Sequence, residues 1–248
     1  MSKVMLVTGA SRGIGAATAR LAAQQGYRVV VNYQRQRDAA EALVEAITAL
    51  GGQALALQAD VADDAQVRRL FAEIDSHLGR LDVLVNNAGM LEQQMRLERM
   101  SLERWQRVFA TNVYGSFLCS REAIVRMSTR QGGHGGAIVN LSSIAARLGA
   151  PEEYIDYAAA KGAIDSMTVG LAKELAADGI RVNAVRPGVI DTEIHASGGE
   201  PQRVARVAAS VPLGRGGRAD EVAEAILWLA SDQASYTTGS LLDVSGGR

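Results

Sequence analysis

Tyr157 and Lys161 stand four residues apart in Tyr157-Ala158-Ala159-Ala160-Lys161, a run whose alanines favour helix, so both side chains leave the same face. An ammonium about 4 Å from a phenolate contributes about 4 kcal/mol at an effective dielectric of 20. That energy is about three pK units and predicts a tyrosine drawn from about 10 towards 7. A phenol in that range can give a proton to an alkoxide or take one from an alcohol. Alone, such a pair also fits an ordinary solvated helix face. Ser143 adds a third group, because it follows a predicted strand at a sheet's carboxyl edge, where a hydroxyl can donate to a carbonyl oxygen. Ser142 is the alternative hydroxyl. A second constellation lies near the start, in Thr8-Gly9-Ala10-Ser11-Arg12-Gly13-Ile14-Gly15. Its glycines let backbone approach a diphosphate at a helix N-terminus. The spacing is G-x-x-x-G-x-G rather than G-x-G-x-x-G, so the glycines alone also fit a structural tight turn.

These residues need a scaffold, and the chain supplies an alternation of short β-branched runs with amphipathic stretches. Strands are predicted at 4–8, 28–32, 54–58, 83–86, 137–141, 181–186 and 241–244. Helices are predicted at 13–25, 37–50, 65–78, 102–128, 153–177, 201–209 and 220–230. Most of the strands are apolar on both faces, which belongs to a parallel sheet covered on each side, a doubly wound α/β fold in a single domain. Ligands of such sheets bind at the strands' carboxyl ends. His134, in the glycine cluster 132–136, is read as a solvated turn residue.

The glycine string is followed in order by Asp60-Val61, Asn86-Asn87-Ala88-Gly89, Asn112, Ser143, Tyr157, Lys161 and Pro187-Gly188. This series resembles the classical short-chain dehydrogenase/reductase family, in its branch of 3-oxoacyl carrier-protein reductases and glucose dehydrogenase-like enzymes, over essentially all 248 residues. The resemblance implies a Rossmann-type domain, 1–248, with a nicotinamide cofactor. Gly9, Ser11, Arg12, Gly13, Ile14 and Gly15 would form its phosphate loop. Asp60 and Val61 would flank the adenine, and Asn86, Asn87, Ala88 and Gly89 would lie along the ribose, although Asn86-Asn87 also fits a simple strand cap. Pro187, Gly188, Ile190 and Thr192 would meet the nicotinamide end. The family assigns polarisation of the carbonyl to Ser143, proton transfer to Tyr157, ribose binding and lowering of the tyrosine pKa to Lys161, and a relay water to Asn112. The interval from Ser143 to Tyr157 is a residue longer than in many relatives. The extra length falls in 147–154, which with a lid at about 189–214 should wall the substrate pocket. Leu91, Arg147, Tyr154, Ile194 and His195 are candidate substrate contacts, with an exposed lid position as the alternative for His195. By the same analogy the chain assembles as a homotetramer, or a dimer.

The end of the second strand decides between cofactors, since an acidic residue there would repel a 2′-phosphate. Asn32, Tyr33, Gln34 and Arg35 stand there with no carboxylate, and Arg12 and Arg37 add positive charge. NADP(H) is therefore expected, with NAD possible because Gln34 occupies a place where relatives often carry arginine. The expected reaction is hydride transfer between nicotinamide and a small ketone, sugar, polyol or secondary alcohol. A 3-oxoacyl carrier-protein reductase is the alternative and needs a basic docking patch, for which Arg126, Arg130 and Lys173 are candidates. A non-catalytic NADP-binding sensor or scaffold is the alternative of another class. With 26 basic and 27 acidic side chains, the chain offers no field for a polyanion, which argues against nucleic acid. No apolar run approaches the ~20 residues of a membrane span. Met-Ser-Lys passes at once into a strand, which predicts no secretory leader and a cytoplasmic protein. Cys119 is the only cysteine and is read as packing, and no Cys/His cluster predicts a metal.

Overall fold

The computed structural model describes residues 2–248. Seven strands form one parallel sheet: β1 (Val4–Val7), β2 (Arg28–Tyr33), β3 (Gln53–Gln58), β4 (Val83–Asn86), β5 (Gly136–Leu141), β6 (Ile180–Pro187) and, last in the chain, β9 (Leu241–Val244). Their order is β3-β2-β1-β4-β5-β6-β9. Numbering reverses between β1 and β4, which opens a crevice at the strands' carboxyl ends. Period-two alternation explains the two covered faces. Met5 and Val7 of β1 point to one layer, with α1 (Gly13–Gln24), α2 (Arg37–Ala49) and α10 (Ala219–Ala230). Val4 and Leu6 point to the other, with α3 (Asp64–Leu78), α5 (Gly115–Met127) and α7 (Ile155–Leu175). Cys119 is buried in that second layer, as packing requires. No helix among the described residues is long and apolar enough to cross a membrane.

The helix expected at 102–128 is interrupted. It consists of α4 (Leu102–Phe109), a π turn over Ala110–Tyr114, and α5. A π turn takes up one extra residue within an otherwise helical run, a change too local for a periodicity read over several turns to reveal. Four short elements also escaped the pattern: α6 (Ala145–Leu148), α8 (Ile194–Ser197), and the paired strands β7 (Ile190–Asp191) and β8 (Gly217–Arg218). The helix expected at 201–209 is only α9 (Arg203–Ala208). His134 lies exposed in its turn.

Candidate active site

A cleft of about 1160 Å³ runs across the carboxyl ends of the sheet. Its first wall is the turn from β1 into α1. Gly9 takes φ +59°, and a Cβ there would lie 2.9 Å from Ala88 Cα. Gly13 takes φ +57°, and a Cβ on Gly15 would meet Asn87 Nδ2 at 2.5 Å. The glycines are thus required by left-handed backbone and by close packing on 87–88. Arg12 precedes α1 without a side-chain cap, which leaves first-turn N–H groups for an anion. Asn32 is buried and spans the turn and two strands. Its Oδ1 accepts from Gly9 N at 3.2 Å, and its Nδ2 donates to the carbonyls of Leu57 and Ala59.

Ser11, Ile14, Gln34, Arg35, Asp60 and Val61 join this end of the cleft. Gln34 Nε2 donates to Asp60 Oδ2 at 2.6 Å. Asn87, Ala88 and Gly89 line the floor, with Pro187, Gly188, Ile190 and Thr192 opposite. Thr192 Cγ2 lies 3.4 Å from the position a Cβ on Gly13 would take, so the segment after β6 sits against the glycine turn.

Lys161 and Tyr157, one turn apart in α7, and Ser143, after β5, meet at the middle of the cleft. Lys161 Nζ donates to Leu141 O at 2.6 Å and lies 5.5 Å from the centre of the Tyr157 ring. Ser142 Oγ donates to Lys161 O at 3.1 Å, which commits that hydroxyl to the fold. Ser143 Oγ instead accepts from Ala145 N at 3.1 Å and lies on the cleft wall that also holds Tyr157. Burial pushes the Tyr157 phenol up to about 12, opposed by the nearby Ser143 hydroxyl. Burial also pushes the Lys161 ammonium down to about 8. The direction for Tyr157 is opposite to the fall towards 7 expected from spacing alone. The ammonium is turned to the Leu141 carbonyl rather than to the phenolic oxygen, so desolvation outweighs the Coulomb attraction.

Several expected residues stand off the cleft wall. Asn86 is buried and donates to Ser120 Oγ and Asn140 Oδ1, bracing β4 against α5 and β5. Tyr33 faces the apolar layer beneath α1 and α2 because alternation along β2 turns it away from Asn32. Gly15 is spent on packing against Asn87. Asn112, in the π turn, uses its amide on Met90 N, Met90 O and Val108 O. Arg147 turns outward, pairs with Asp243 at 2.6 Å and lines a neighbouring hollow instead.

Leu91, Tyr154, Ile194 and His195 do line the cleft. The Tyr154 hydroxyl donates to Gly198 O at 3.2 Å. His195, whose alternative reading was an exposed lid position, is only 8% exposed. Met90 lines the same end without having been expected, and Glu153 and Arg203 line it from within the expected wall segments 147–154 and 189–214 without having been singled out. Arg203 pairs with Glu153 at 2.6 Å across fifty positions of chain, a contact that local patterning cannot encode. Glu153 also pairs with Arg206, which in turn pairs with Glu200, joining α9 to the loop before α7. Among the described residues no group of acidic, histidine or cysteine side chains could hold a metal.

Comparison with known proteins places this geometry. A family model described as enoyl-(acyl carrier protein) reductase matches residues 9–248. An uncharacterised oxidoreductase of Escherichia coli K12, YgfF, is 59% identical over 245 residues, covering 99% of both chains. A 3-oxoacyl-(acyl-carrier-protein) reductase, FabG, of Staphylococcus aureus Mu50 is 41% identical over 247 residues, covering 100% of this chain and 98% of that protein. The crystal structure of a short-chain type dehydrogenase/reductase from Mycobacterium marinum superposes with a TM-score of 0.92 at 37% identity, covering 99% of this chain and 94% of that one. The chain belongs to the short-chain dehydrogenase/reductase family and is an NAD(P)-dependent oxidoreductase acting on CH–OH groups.

Proposed function

We propose that this enzyme uses NADP(H) to interconvert a small carbonyl compound, such as a ketone or keto sugar, with its alcohol, and that Tyr157 moves the proton. The observation carrying this reading is that Ser143, Tyr157 and Lys161 share one cleft with Arg12 and Arg35. The cofactor end suits a dinucleotide: the uncapped start of α1 and the glycine cradle receive a diphosphate. Gln34 and Arg35 border the cleft where a 2′-phosphate would lie, and Arg37 is held by Glu41 outside it. When bound, the nicotinamide supplies or accepts the hydride.

The chain's own groups handle the proton and the oxygen. Ser143 donates a hydrogen bond to the substrate's carbonyl oxygen, and Tyr157 gives its proton to that oxygen in reduction or takes it back in oxidation. With its pKa pushed up to about 12, Tyr157 keeps its proton at neutral pH, the form that reduction needs. Lys161, on the same stretch of α7 as Tyr157, would hold the cofactor's ribose. Asn112 holds the backbone of Met90 and so fixes the loop after Gly89.

A small substrate is favoured over an acyl carrier protein because two of the three candidate docking cations, Arg126 and Arg130 but not Lys173, are neutralised within the chain. Arg126 pairs with Asp75 and Glu122, and Arg130 pairs with Asp178. A sensor or scaffold would not need Ser143 and Tyr157 on one cleft wall with Lys161 beside the phenol ring. A homotetramer, or a dimer, accounts for the exposed Leu102, Tyr114 and Phe117 along α4, the π turn and α5. The test is nicotinamide oxidation with NADPH and with NADH, against small ketones, aldehydes, keto sugars and an acetoacetyl thioester. NADPH-driven reduction of ketones or keto sugars is expected. Turnover confined to the thioester would replace this reading with acyl-chain reduction, and silence with NADPH still bound would replace it with the sensor.

A further inference from the structure

The chain carries only three lysines, and of these Lys3 and Lys173 are exposed while Lys161 is buried. A buried ammonium is costly unless opposite charge or hydrogen bonds offset the loss of water. Among the described residues the Leu141 carbonyl is the one hydrogen-bond partner of Lys161 Nζ. Burial favours the neutral amine, and the pull that opposes it comes from the carboxylate of Asp165. Asp165 stands one turn further along α7, so the two side chains leave the same face. Arg186, at the carboxyl end of β6, holds it there: Nε and Nη2 donate to Asp165 Oδ2 at 3.0 and 2.8 Å. Arg186 is also shared, since its Nη1 reaches Asp243 Oδ1 on β9 at 3.4 Å, and Asp243 pairs in turn with Arg147. Asp165 Oδ1 is buried, and no described group hydrogen-bonds it, so one shared guanidinium leaves part of the carboxylate unmatched. The remaining groups about Lys161 are neutral near pH 7. They are the Tyr157 phenol on α7, the Ser142 hydroxyl after β5, and Asn112, whose Oδ1 and Lys161 Nζ lie 2.9 and 3.7 Å from the place a Cβ on Gly89 would take.

We infer that Asp165 is a positioning residue that acts through Lys161: held by Arg186, its carboxylate keeps the buried ammonium charged. A charged Lys161 holds the cofactor's ribose more firmly than a neutral amine would. The inference rests on the proposed role of Lys161 at that ribose.

Having so few lysines makes the test direct. Lysine labelled with carbon-13 at Cε reports the titration of each side chain by NMR, and Lys3→Arg and Lys173→Arg identify the exposed two. Without cofactor, Lys161 of the parent should titrate at about 8. In Asp165→Asn it should titrate about half a unit to one unit lower, and Asp165→Glu should restore it. Arg186→Gln keeps the carboxylate and should not lower it, whereas a merely structural pair would move both variants alike. The double replacement of Asp165→Asn with Arg186→Gln strands no charge and should titrate below Arg186→Gln alone, which decides the matter if Asp165→Asn fails to fold. A Lys161 titration unmoved by removal of the carboxylate overturns the inference, as does an equal fall in Asp165→Asn and Arg186→Gln. NADPH affinity, measured across the same pH range, separates the inference from the reading beneath it. Affinity should weaken as pH rises through the Lys161 titration, and should do so earlier in Asp165→Asn than in the parent. A titration that shifts while NADPH affinity ignores it refutes the ribose role and supports the hold of Asp165 on Lys161.

Discussion

Replacing Asp156 with alanine removes the partner of Arg104 at the residue before Tyr157. Both side chains are almost wholly buried, 3% exposed for Arg104 and 2% for Asp156. Arg104 Nε lies 2.6 Å from Asp156 Oδ2 and Nη2 lies 3.1 Å from Oδ1. Oδ1 also accepts from Tyr157 N at 2.9 Å, while Arg104 Nη1 donates to Gln93 O at 2.5 Å. The pair thus ties α4, the loop after Gly89 and the first turn of α7 together. Breaking a buried pair from one side strands the other charge, at a cost of about 3–5 kcal/mol. For a chain of this size, at about 2 °C per kcal/mol, the melting temperature should fall by about 6–10 °C in scanning calorimetry. The double replacement Arg104→Met with Asp156→Leu should recover most of that loss, because it removes the desolvated charges together. It would not restore the hydrogen bond to Tyr157 N, so kcat should stay depressed while stability returns. A fall below about 2 °C in Asp156→Ala would refute the reasoning, since a change that small matches an exposed pair rather than a buried one.

Arg35→Asp should place a carboxylate against a 2′-phosphate, raising KM for NADPH at least about tenfold while sparing NADH. Unchanged selectivity between the two cofactors would remove Arg35 from the binding site. Burial pushes the Cys119 thiol up to about 12, so a disulfide-exchange reagent should find no reactive thiol in the native protein and one after denaturation. Prompt labelling of the native chain would contradict its buried place on the core-facing side of α5. His195 has a folded pKa below its ordinary value, so protonation is disfavoured in the fold. The unfolded chain then binds more protons below about pH 6.5, and stability should fall as pH drops through that range. Melting temperatures of the parent and His195→Gln measured from about pH 7.5 to 5 should diverge, with the parent losing more; parallel curves would show that His195 carries no such penalty.

The sheet and its helices were legible because both layers are written in apolar periodicity, as in Val4-Met5-Leu6-Val7, whose alternate members face opposite layers. The glycine turn was legible too, since Gly9, Gly13 and Gly15 occur where a strand passes into a helix. Individual side-chain placements were less so. Tyr33 and Asn86 lie beside cleft residues in sequence, yet alternation and burial turn them into the core. Ser142 and Ser143 were separated only by three-dimensional hydrogen bonding, one donating its hydroxyl to the Lys161 carbonyl and the other accepting from Ala145 N. The contacts that close the substrate end, Glu153 with Arg203 and Tyr154 with Gly198, join segments more than forty residues apart and have no local signature. The rise of the Tyr157 pKa depends on burial and on where Lys161 Nζ points, neither of which spacing along a helix contains.

The proton-transfer role of Tyr157 is tested most directly by Tyr157→Phe, assayed beside the parent by the absorbance of reduced nicotinamide with any carbonyl the parent turns over, and with NADPH affinity measured in parallel. Loss of a general acid predicts a fall in kcat of about a hundredfold to ten-thousandfold, with NADPH affinity retained. Turnover equal to that of the parent would contradict the assignment and would move the proton to another group on the cleft.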